Sequence, residues 1–238
     1  MIRVTWFVLH ATRPMLNELI KERLKKLEDI KGSGVNPYPA RTKKVIAIST
    51  VLEKFPSLEK TKKNVFVAGR IWSIRDQGGL IFWDLKDERG QIQILLKKAT
   101  LKDFHLLKKV IDRGDFVSVS GFLFKTKRGE KSLEAKSVQI LTKSIRPLPT
   151  EWFGVEDVET RLRKRYLDLL LAPEAREIFR KKAVFWATFR NELGNAGFLE
   201  VETPVLEAIP GGAEAEPFKT HHNALDTDFY LRISLELP

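Results

Sequence analysis

The sequence predicts an α+β protein in which a small β-barrel is followed by a separate segment of helices and antiparallel strands. Between Val65 and Thr142, apolar residues recur at every second position, which is the period of β-strands. Between Thr160 and Asn195 they recur at every third or fourth position, which is the period of helices. A chain of 238 residues, 43% of them hydrophobic, is long enough to bury a core in each part.

Charge and composition narrow the class of protein. Lys and Arg total 42 against 31 Asp and Glu, a formal net charge of +11. This excess favours a polyanion as partner, since each neutralised phosphate releases condensed counterions. The chain has no cysteine, which excludes disulfides and thiolate metal sites and fits a reducing compartment. No apolar run approaches the roughly 18–20 residues that span a bilayer, so no membrane partner is expected.

Residues 1–60 are interpreted as an N-terminal extension with a basic helix. The apolar Val4–Leu9 suits a signal peptide poorly because it is so short, and the alternative is an upstream extension before a natural start at Met15. A helix is predicted over Asn17–Ile30, with Asn17 as its N-cap and Gly32 in its stop signal. Its Lys and Arg side chains are interpreted as a solvated face.

The hydrophobic pattern of residues 61–145 predicts three strands, a helix and two more strands. Their predicted ranges are Val65–Trp72, Leu80–Leu85, Gln91–Leu96, Leu101–Ile111, Phe116–Phe124 and Ser132–Leu141. This order is typical of an OB-fold, a five-stranded barrel that commonly binds oligonucleotides, and Gly69 and Gly121 suit its bent strands. Another small β-barrel is the alternative. Residues 146–160 predict a linker, because Pro147 and Pro149 resist regular structure.

Residues 161–238 are expected to form helices followed by strands. A basic helix over Thr160–Leu171 precedes a helix from Pro173 to about Asn195, whose apolar stripe is wide enough to bury against a sheet and a partner subunit. Strands are predicted at Phe198–Leu206 and Phe229–Leu235, on either side of a loop of small residues.

The predicted barrel holds the side chains best suited to nucleic acid. Phe82 and Trp83 are adjacent on one strand, so side-chain alternation places one of them inside. An exposed ring stacks on a base, and an amide or carboxylate reads a base edge. Arg75 is among the residues that supply positive charge in the predicted barrel. The alternative is that both aromatic rings belong to the core.

The stretch Gly197–Leu237 resembles the core of class II lysyl-tRNA synthetases, through PGGAEAEPF, THHNALD and YLRI at that family's spacing. RYLDL at Arg165–Leu169 and NPYP at Asn36–Pro39 extend the resemblance over about residues 16–238. It implies a cytoplasmic, homodimeric lysine–tRNA ligase that uses ATP and Mg²⁺ to activate lysine and then transfers lysine to tRNA-Lys. THHNALD and the glycine loop favour the lysyl branch over the aspartyl and asparaginyl branches.

The resemblance also implies roles for particular residues. It assigns Phe82 to base stacking and Gln93 and Glu130 to base reading, and Arg75 is expected to bind the anticodon with them. It assigns Gly212 and Glu236 to lysine binding. Phe185, Phe189 and Pro204 are assigned to the motif 1 dimer interface. No metal site is expected at His221 and His222, because neighbouring strand residues face opposite ways. The family often reads APELY where this chain has Ser234–Pro238, so the surroundings of Glu236 can differ.

No catalytic residue is assigned within the chain. The ATP-binding arginines of motifs 2 and 3 and the acidic Mg²⁺ ligands are expected beyond Pro238, and no phosphate-binding loop replaces them. The chain by itself is therefore expected to bind tRNA without catalysing the ligase reaction. The alternative function is a non-catalytic tRNA- or RNA-binding protein derived from a synthetase.

Overall fold

The computed structural model describes residues 13–149 and 157–236, the former in one compact unit and the latter in a second. The elements of the first unit are α1 (Arg13–Gly32), α2 (Ile48–Glu53), α3 (Phe55–Thr61), β1 (Val65–Asp76), β2 (Leu80–Lys86), β3 (Gln91–Lys97), α4 (Phe104–Val110), β4 (Phe116–Lys125) and β5 (Lys131–Thr142). Those of the second are α5 (Val158–Arg163), α6 (Arg165–Leu171), α7 (Pro173–Asn195), β6 (Leu206–Glu207), β7 (Lys219–His222) and β8 (Thr227–Leu231).

The first unit is built on a closed barrel with the strand order β1-β2-β3-β5-β4. The β3–β5 pair is parallel, the other neighbouring pairs are antiparallel, and α4 connects β3 to β4. Each strand fills the interior with residues that are at most 1% exposed, among them Val67, Trp83, Ile94, Val119 and Leu133. The predicted OB-fold is therefore confirmed.

Two glycines allow neighbouring barrel strands to approach closely. A Cβ atom on Gly121 would lie 1.9 Å from the carbonyl oxygen of Glu134, and one on Gly69 would lie 2.6 Å from that of Lys86. Both contacts are with backbone, which cannot move aside without breaking the strand pairing. Gly121 also lies where the β4–β5 register shifts, as expected for a bent barrel strand.

A β-bulge in β1 determines which face of the barrel its last residues occupy. Ile71 and Ser73 pair with consecutive residues of β2, so Trp72 is an extra residue between them. Beyond the bulge, Arg75 is the direct partner of Phe82. Direct cross-strand partners share one face of a sheet, so Arg75 and Phe82 lie side by side.

Helix α1 differs from its prediction at the start. It begins at Arg13, so Asn17 lies inside the helix and its assignment as N-cap is wrong. Two further helices, α2 and α3, were not predicted, because segments of six and seven residues carry too little periodicity. They bury Ile48, Val51 and Phe55 in the barrel core.

Part of the basic face of α1 packs against the barrel. Arg23 is 8% exposed, and its guanidinium donates to the carbonyls of Ser144 and Arg113 at 3.0 and 3.1 Å. The Nζ atom of Lys26 lies 2.7 Å from Asp112. The interpretation of this face as solvated is therefore wrong for these two side chains, because backbone carbonyls and a carboxylate of the barrel end satisfy their charge.

In the second unit, the helix expected over Thr160–Leu171 is broken into α5 and α6 at Lys164. The carboxylate of Asp168, a residue 3% exposed, accepts hydrogen bonds from Arg161 Nε at 2.8 Å and from Arg165 Nη1 at 2.6 Å. These bonds, that of Arg161 first, lower the pKa of Asp168. The carboxylate thus joins α5 to α6 across the break.

The strands of the second unit form a small antiparallel sheet with the order β6-β8-β7. The prediction of a strand over Phe198–Leu206 is wrong for most of its length, because of these residues only Leu206 pairs with a neighbouring strand among the described residues. The guanidinium of Arg232 instead holds this segment, donating to the carbonyls of Thr203 and Pro204 at 2.9 and 3.1 Å. The strand expected over Phe229–Leu235 is found at Thr227–Leu231. Helix α7 matches its predicted bounds.

Candidate nucleic-acid interface and amino-acid loop

The two adjacent aromatic residues of β2 face opposite sides of the barrel wall. Trp83 is 1% exposed and belongs to the core, whereas Phe82 is half-buried on the outer face. The alternative in which both rings belong to the core is therefore excluded. Phe82 presents a ring that a base can reach, and Trp83 fixes its strand from inside.

The guanidinium of Arg75, next to Phe82, is held by a carboxylate. Arg75 Nη2 lies 3.3 Å from Asp84 Oδ1, with the Arg75 side chain 51% exposed and that of Asp84 16% exposed. The hydroxyl of Ser73 donates to the other oxygen of Asp84. Asp84 therefore orients a cation that is open to solvent and still able to contact a phosphate or a base.

Gln93 and Glu130 form a hydrogen-bonded pair where the barrel closes. The amide Nε2 of Gln93 donates to Glu130 Oε2 at 3.0 Å, and the amide Oε1 accepts from the hydroxyl of Ser132 at 3.0 Å. Gln93 is opposite Asp84 on β2 and opposite Ser132 on β5. The four residues expected to contact an anticodon, which are Arg75, Phe82, Gln93 and Glu130, thus lie on one continuous outer face.

Lysines at the edge of this face differ in whether a carboxylate balances their charge. Lys97 and Lys136 both pair with Glu134, at 2.5 and 3.1 Å. Lys125 and Lys127 are exposed at the hairpin that leads from β4 to Glu130. These two lysines are therefore the better placed to meet a polyanion.

The two residues expected to bind lysine lie close together in the second unit. Gly212 has a φ of 83°, and a Cβ atom on it would lie 3.0 Å from the Cβ of Ser234 and 3.4 Å from that of Glu236. The backbone N–H of Glu236 donates to the Ser234 hydroxyl at 3.0 Å. Glycine suits this position twice, because its φ is positive and because the loop approaches the segment after β8. The carboxylate of Glu236 is exposed beside that loop.

The residues expected at a dimer interface lie on α7 and in the segment that precedes β6. The rings of Phe185 and Phe189 stack with centroids 6.3 Å apart on α7, and these residues are 60% and 50% exposed. The carbonyl of Pro204 accepts a hydrogen bond from Arg232 Nη1 at 3.1 Å.

The adjacent histidines have separate partners. His221 Nδ1 lies 2.9 Å from Asp228 Oδ1, whereas His222 Nδ1 accepts the backbone N–H of Leu225 at 3.2 Å. In residues 13–149 and 157–236, no group of three or more His, Cys, Asp or Glu side chains is arranged to hold a metal ion. None of the helices in these same ranges is long and apolar enough to cross a membrane.

Comparison with known families agrees with both units. Residues 65–141 match the OB-fold nucleic acid binding domain, and residues 157–237 match the class II tRNA synthetases for D, K and N. The lysine–tRNA ligase of Roseiflexus sp. (strain RS-1) is 45% identical over 225 residues, which are 93% of this chain and 46% of the relative. The chain corresponds to the N-terminal portion of class II lysyl-tRNA synthetases.

Two further relatives match this chain over a similar share of their own length. The lysine–tRNA ligase of Pelotomaculum thermopropionicum is 44% identical over 93% of this chain and 44% of its own length, and the lysine–tRNA ligase 2 of Methanosarcina mazei is 44% identical over 90% and 43%. The chain thus spans slightly less than half the length of the curated relatives it matches. The match to the synthetase family model takes in residues 157–237, and at 46% of the relative's length the chain covers the catalytic domain only in part.

Two polar residues of the outer face were missed by sequence reasoning. The sequence pattern places Asp84 within one predicted strand and Ser132 at the start of another, and it assigns neither a role. Their importance follows from the register that places each beside Gln93. Strand periodicity alone could have placed Asp84 on the same face as Phe82, two positions away.

Proposed function

We propose that this chain supplies the anticodon-binding barrel and the first part of the amino-acid site of an ATP-dependent lysine–tRNA ligase. The observation that carries the proposal is the outer face on which Phe82 lies beside Arg75 and beside the hydrogen-bonded pair of Gln93 and Glu130. The family matches and the names of the relatives support the same assignment.

The proposed face provides the interactions that recognise single-stranded RNA. The Phe82 ring stacks on one unpaired base, and the amide of Gln93 and the carboxylate of Glu130 hydrogen-bond to a base edge. Arg75 adds a cation beside the stacked base. These side chains bind and orient the anticodon of tRNA-Lys, and no chemical step takes place on the barrel.

The proposed lysine site begins with Gly212 and Glu236. The loop at Gly212 lets a small ligand approach the backbone, since no Cβ stands in the way. The carboxylate of Glu236 accepts a charge-assisted hydrogen bond from the ammonium group of lysine. Both groups hold and orient the substrate and do not react with it.

ATP and Mg²⁺ belong to the complete ligase, and the residues that bind them are expected outside residues 1–238. ATP supplies the adenylyl group that activates the lysine carboxylate. We further propose that the complete enzyme is a cytoplasmic homodimer, with Phe185, Phe189 and Pro204 in its interface. The half-exposed aromatic pair on α7 supports this assignment.

The test of the proposal is binding of the purified chain to RNA stem-loops by fluorescence anisotropy at fixed salt. A stem-loop with the lysine anticodon UUU should bind more tightly than stem-loops in which each anticodon base is substituted in turn. Gln93→Ala should narrow that difference. Equal affinity for all the loops would contradict the proposal and favour a non-specific RNA-binding protein.

A further inference from the structure

We propose that Ser132 is a positioning residue that fixes the orientation of the Gln93 amide and thereby sets which base edge the barrel accepts. This inference rests on the proposed anticodon-binding function and deepens it. Ser132 is fully buried, so it acts through Gln93 and not by touching RNA.

The hydrogen bonds around Gln93 leave its amide one good orientation. A carboxylate only accepts hydrogen bonds, so the amide nitrogen must face Glu130 Oε2, which lies 3.0 Å away. The amide oxygen then faces Ser132, whose hydroxyl donates to it at 3.0 Å. A flipped amide would set its oxygen against the carboxylate oxygen, with no proton between them.

The hydroxyl proton of Ser132 supports the amide orientation that the Glu130 carboxylate selects. Besides the Gln93 amide oxygen, the hydroxyl reaches the backbone carbonyl of Glu130 at 3.3 Å. One proton cannot serve both acceptors fully, and the shorter contact is the one to Gln93. Loss of the hydroxyl would therefore leave the nearly buried amide oxygen of Gln93, a residue 7% exposed, without this donor.

A fixed amide presents a fixed pattern to a base. Gln93 donates one N–H to Glu130 Oε2, and the proposal assigns the second N–H of the amide and the second oxygen of the carboxylate to a base as donor and acceptor. The edge of uracil offers a carbonyl acceptor next to its N3–H donor, which complements this pattern. If the Gln93 amide could rotate, it would also present its oxygen to the bound base. It would then accept bases that carry a donor where uracil carries its carbonyl acceptor.

The orientation can be tested without RNA, by NMR of the full chain labelled with nitrogen-15. The side-chain NH₂ signals of Gln93, identified by their loss in Gln93→Leu, should be protected from exchange with water. Ser132→Ala should broaden them and speed their exchange. Ser137→Ala is the matched control, since it removes a hydroxyl from the same strand that bonds Ser120 at 2.8 Å, and it should leave them unchanged.

The effect on recognition is tested by binding of the same variants to the UUU stem-loop and to substituted loops. Ser132→Ala should weaken binding of the UUU loop about fivefold, the effect of one net hydrogen bond, and should weaken the substituted loops less. In a Gln93→Ala background the same change should have no further effect, as expected when one residue acts through another. Ser132→Cys, which keeps a weak donor, should restore part of the discrimination and provides a second variant if the alanine variant folds poorly.

Three results would overturn the inference: unchanged Gln93 signals in Ser132→Ala, equal weakening of all the loops, or the same weakening in the Gln93→Ala background. The last two would assign Ser132 a structural role only. Failure of the wild-type chain to prefer any loop would instead refute the proposed function, and the NMR experiment would still decide the orientation of the amide.

Discussion

Arg75 on β1 and Phe82 on β2 lie directly opposite each other on the outer face of the barrel. The bulge at Trp72 brings them to the same side, and Asp84 holds the guanidinium at 3.3 Å. A base stacked on the ring would therefore have a cation beside it.

Replacing Phe82 with alanine should weaken binding of the UUU stem-loop by about 1–3 kcal/mol, the contribution of one stacked base. The measurement is fluorescence anisotropy with the full chain. Phe66→Ala is the matched control, because Phe66 is a half-buried ring on β1 near Ser118 and Ser120, outside the proposed face. Equal affinity of Phe82→Ala and wild type would remove Phe82 from the site.

Replacing Lys125 with alanine should change the salt dependence of binding more than the preference among loops. A phosphate contact contributes about 0.7 to the slope of log affinity against log salt for single-stranded nucleic acid. Titrations at several salt concentrations should give a slope smaller by about this amount. Lys31→Ala, whose amine pairs with Glu28 at 2.8 Å on α1, should keep the wild-type slope. An unchanged slope for Lys125→Ala would place Lys125 away from the RNA.

Gly212→Ala should distort the loop beside Glu236. The φ of 83° and the contact at 3.0 Å with the Ser234 Cβ both oppose a side chain, and a strained residue of this kind costs about 1–3 kcal/mol. Hydrogen exchange should become faster at the N–H of Glu236, which is bonded to Ser234. Gly194→Ala, which meets nothing within 4 Å, is the control. Unaltered exchange in Gly212→Ala would show that the loop tolerates a side chain.

The α5–α6 segment should lose stability in acid through Asp168. Hydrogen bonds from Arg161 and then Arg165 hold the pKa of Asp168 below its ordinary value of 3.8. A carboxyl with a lowered pKa stabilises the fold at pH values above its unfolded pKa, and this contribution is lost as the pH falls through the folded pKa.

Hydrogen exchange of α6 in wild type and Asp168→Asn should therefore differ most near neutral pH and converge below about pH 4. Glu159→Gln, an exposed carboxylate on α5, is the control. A difference between wild type and Asp168→Asn that stays constant down to pH 2 would contradict the role of the ionised carboxylate.

The exposed aromatic face of α7 should mediate self-association. Phe189→Asp should weaken the dimer about tenfold or more, because it places a charge at the centre of an apolar contact. Sedimentation velocity over a concentration series measures the effect. Phe198→Asp, at a residue 68% exposed beyond the end of the helix, is the control. Identical sedimentation of Phe189→Asp and wild type would exclude this face as the interface.

The sequence predicted the barrel well because β1 and β2 alternate clearly and because glycine marks the turns between strands. Alternation predicted that one of Phe82 and Trp83 faces inward but not which one, because two adjacent aromatic residues satisfy it equally, and only the family resemblance assigned the exposed role to Phe82. The closed barrel decides, since Trp83 is needed in the core.

Predictions that depended on partners far along the chain were less successful. The strand expected over Phe198–Leu206 alternates well, yet pairing depends on a neighbour, and among the described residues β8 reaches only Leu206 and Glu207. The links from Ser132 to Gln93 and from Asp84 to Arg75 depend on register, which a single strand does not encode.

The parallel pairing of β3 with β5 brings Gln93 against Ser132, a residue 39 positions away in the chain. The proposed reading face therefore exists only while the barrel is closed, and opening of β5 would dismantle it. By thermodynamic linkage, an RNA that binds only the closed form must raise the free energy of unfolding. At about 100 times its dissociation constant, the stem-loop should add about 2.7 kcal/mol, so the cognate RNA would help to keep this barrel folded.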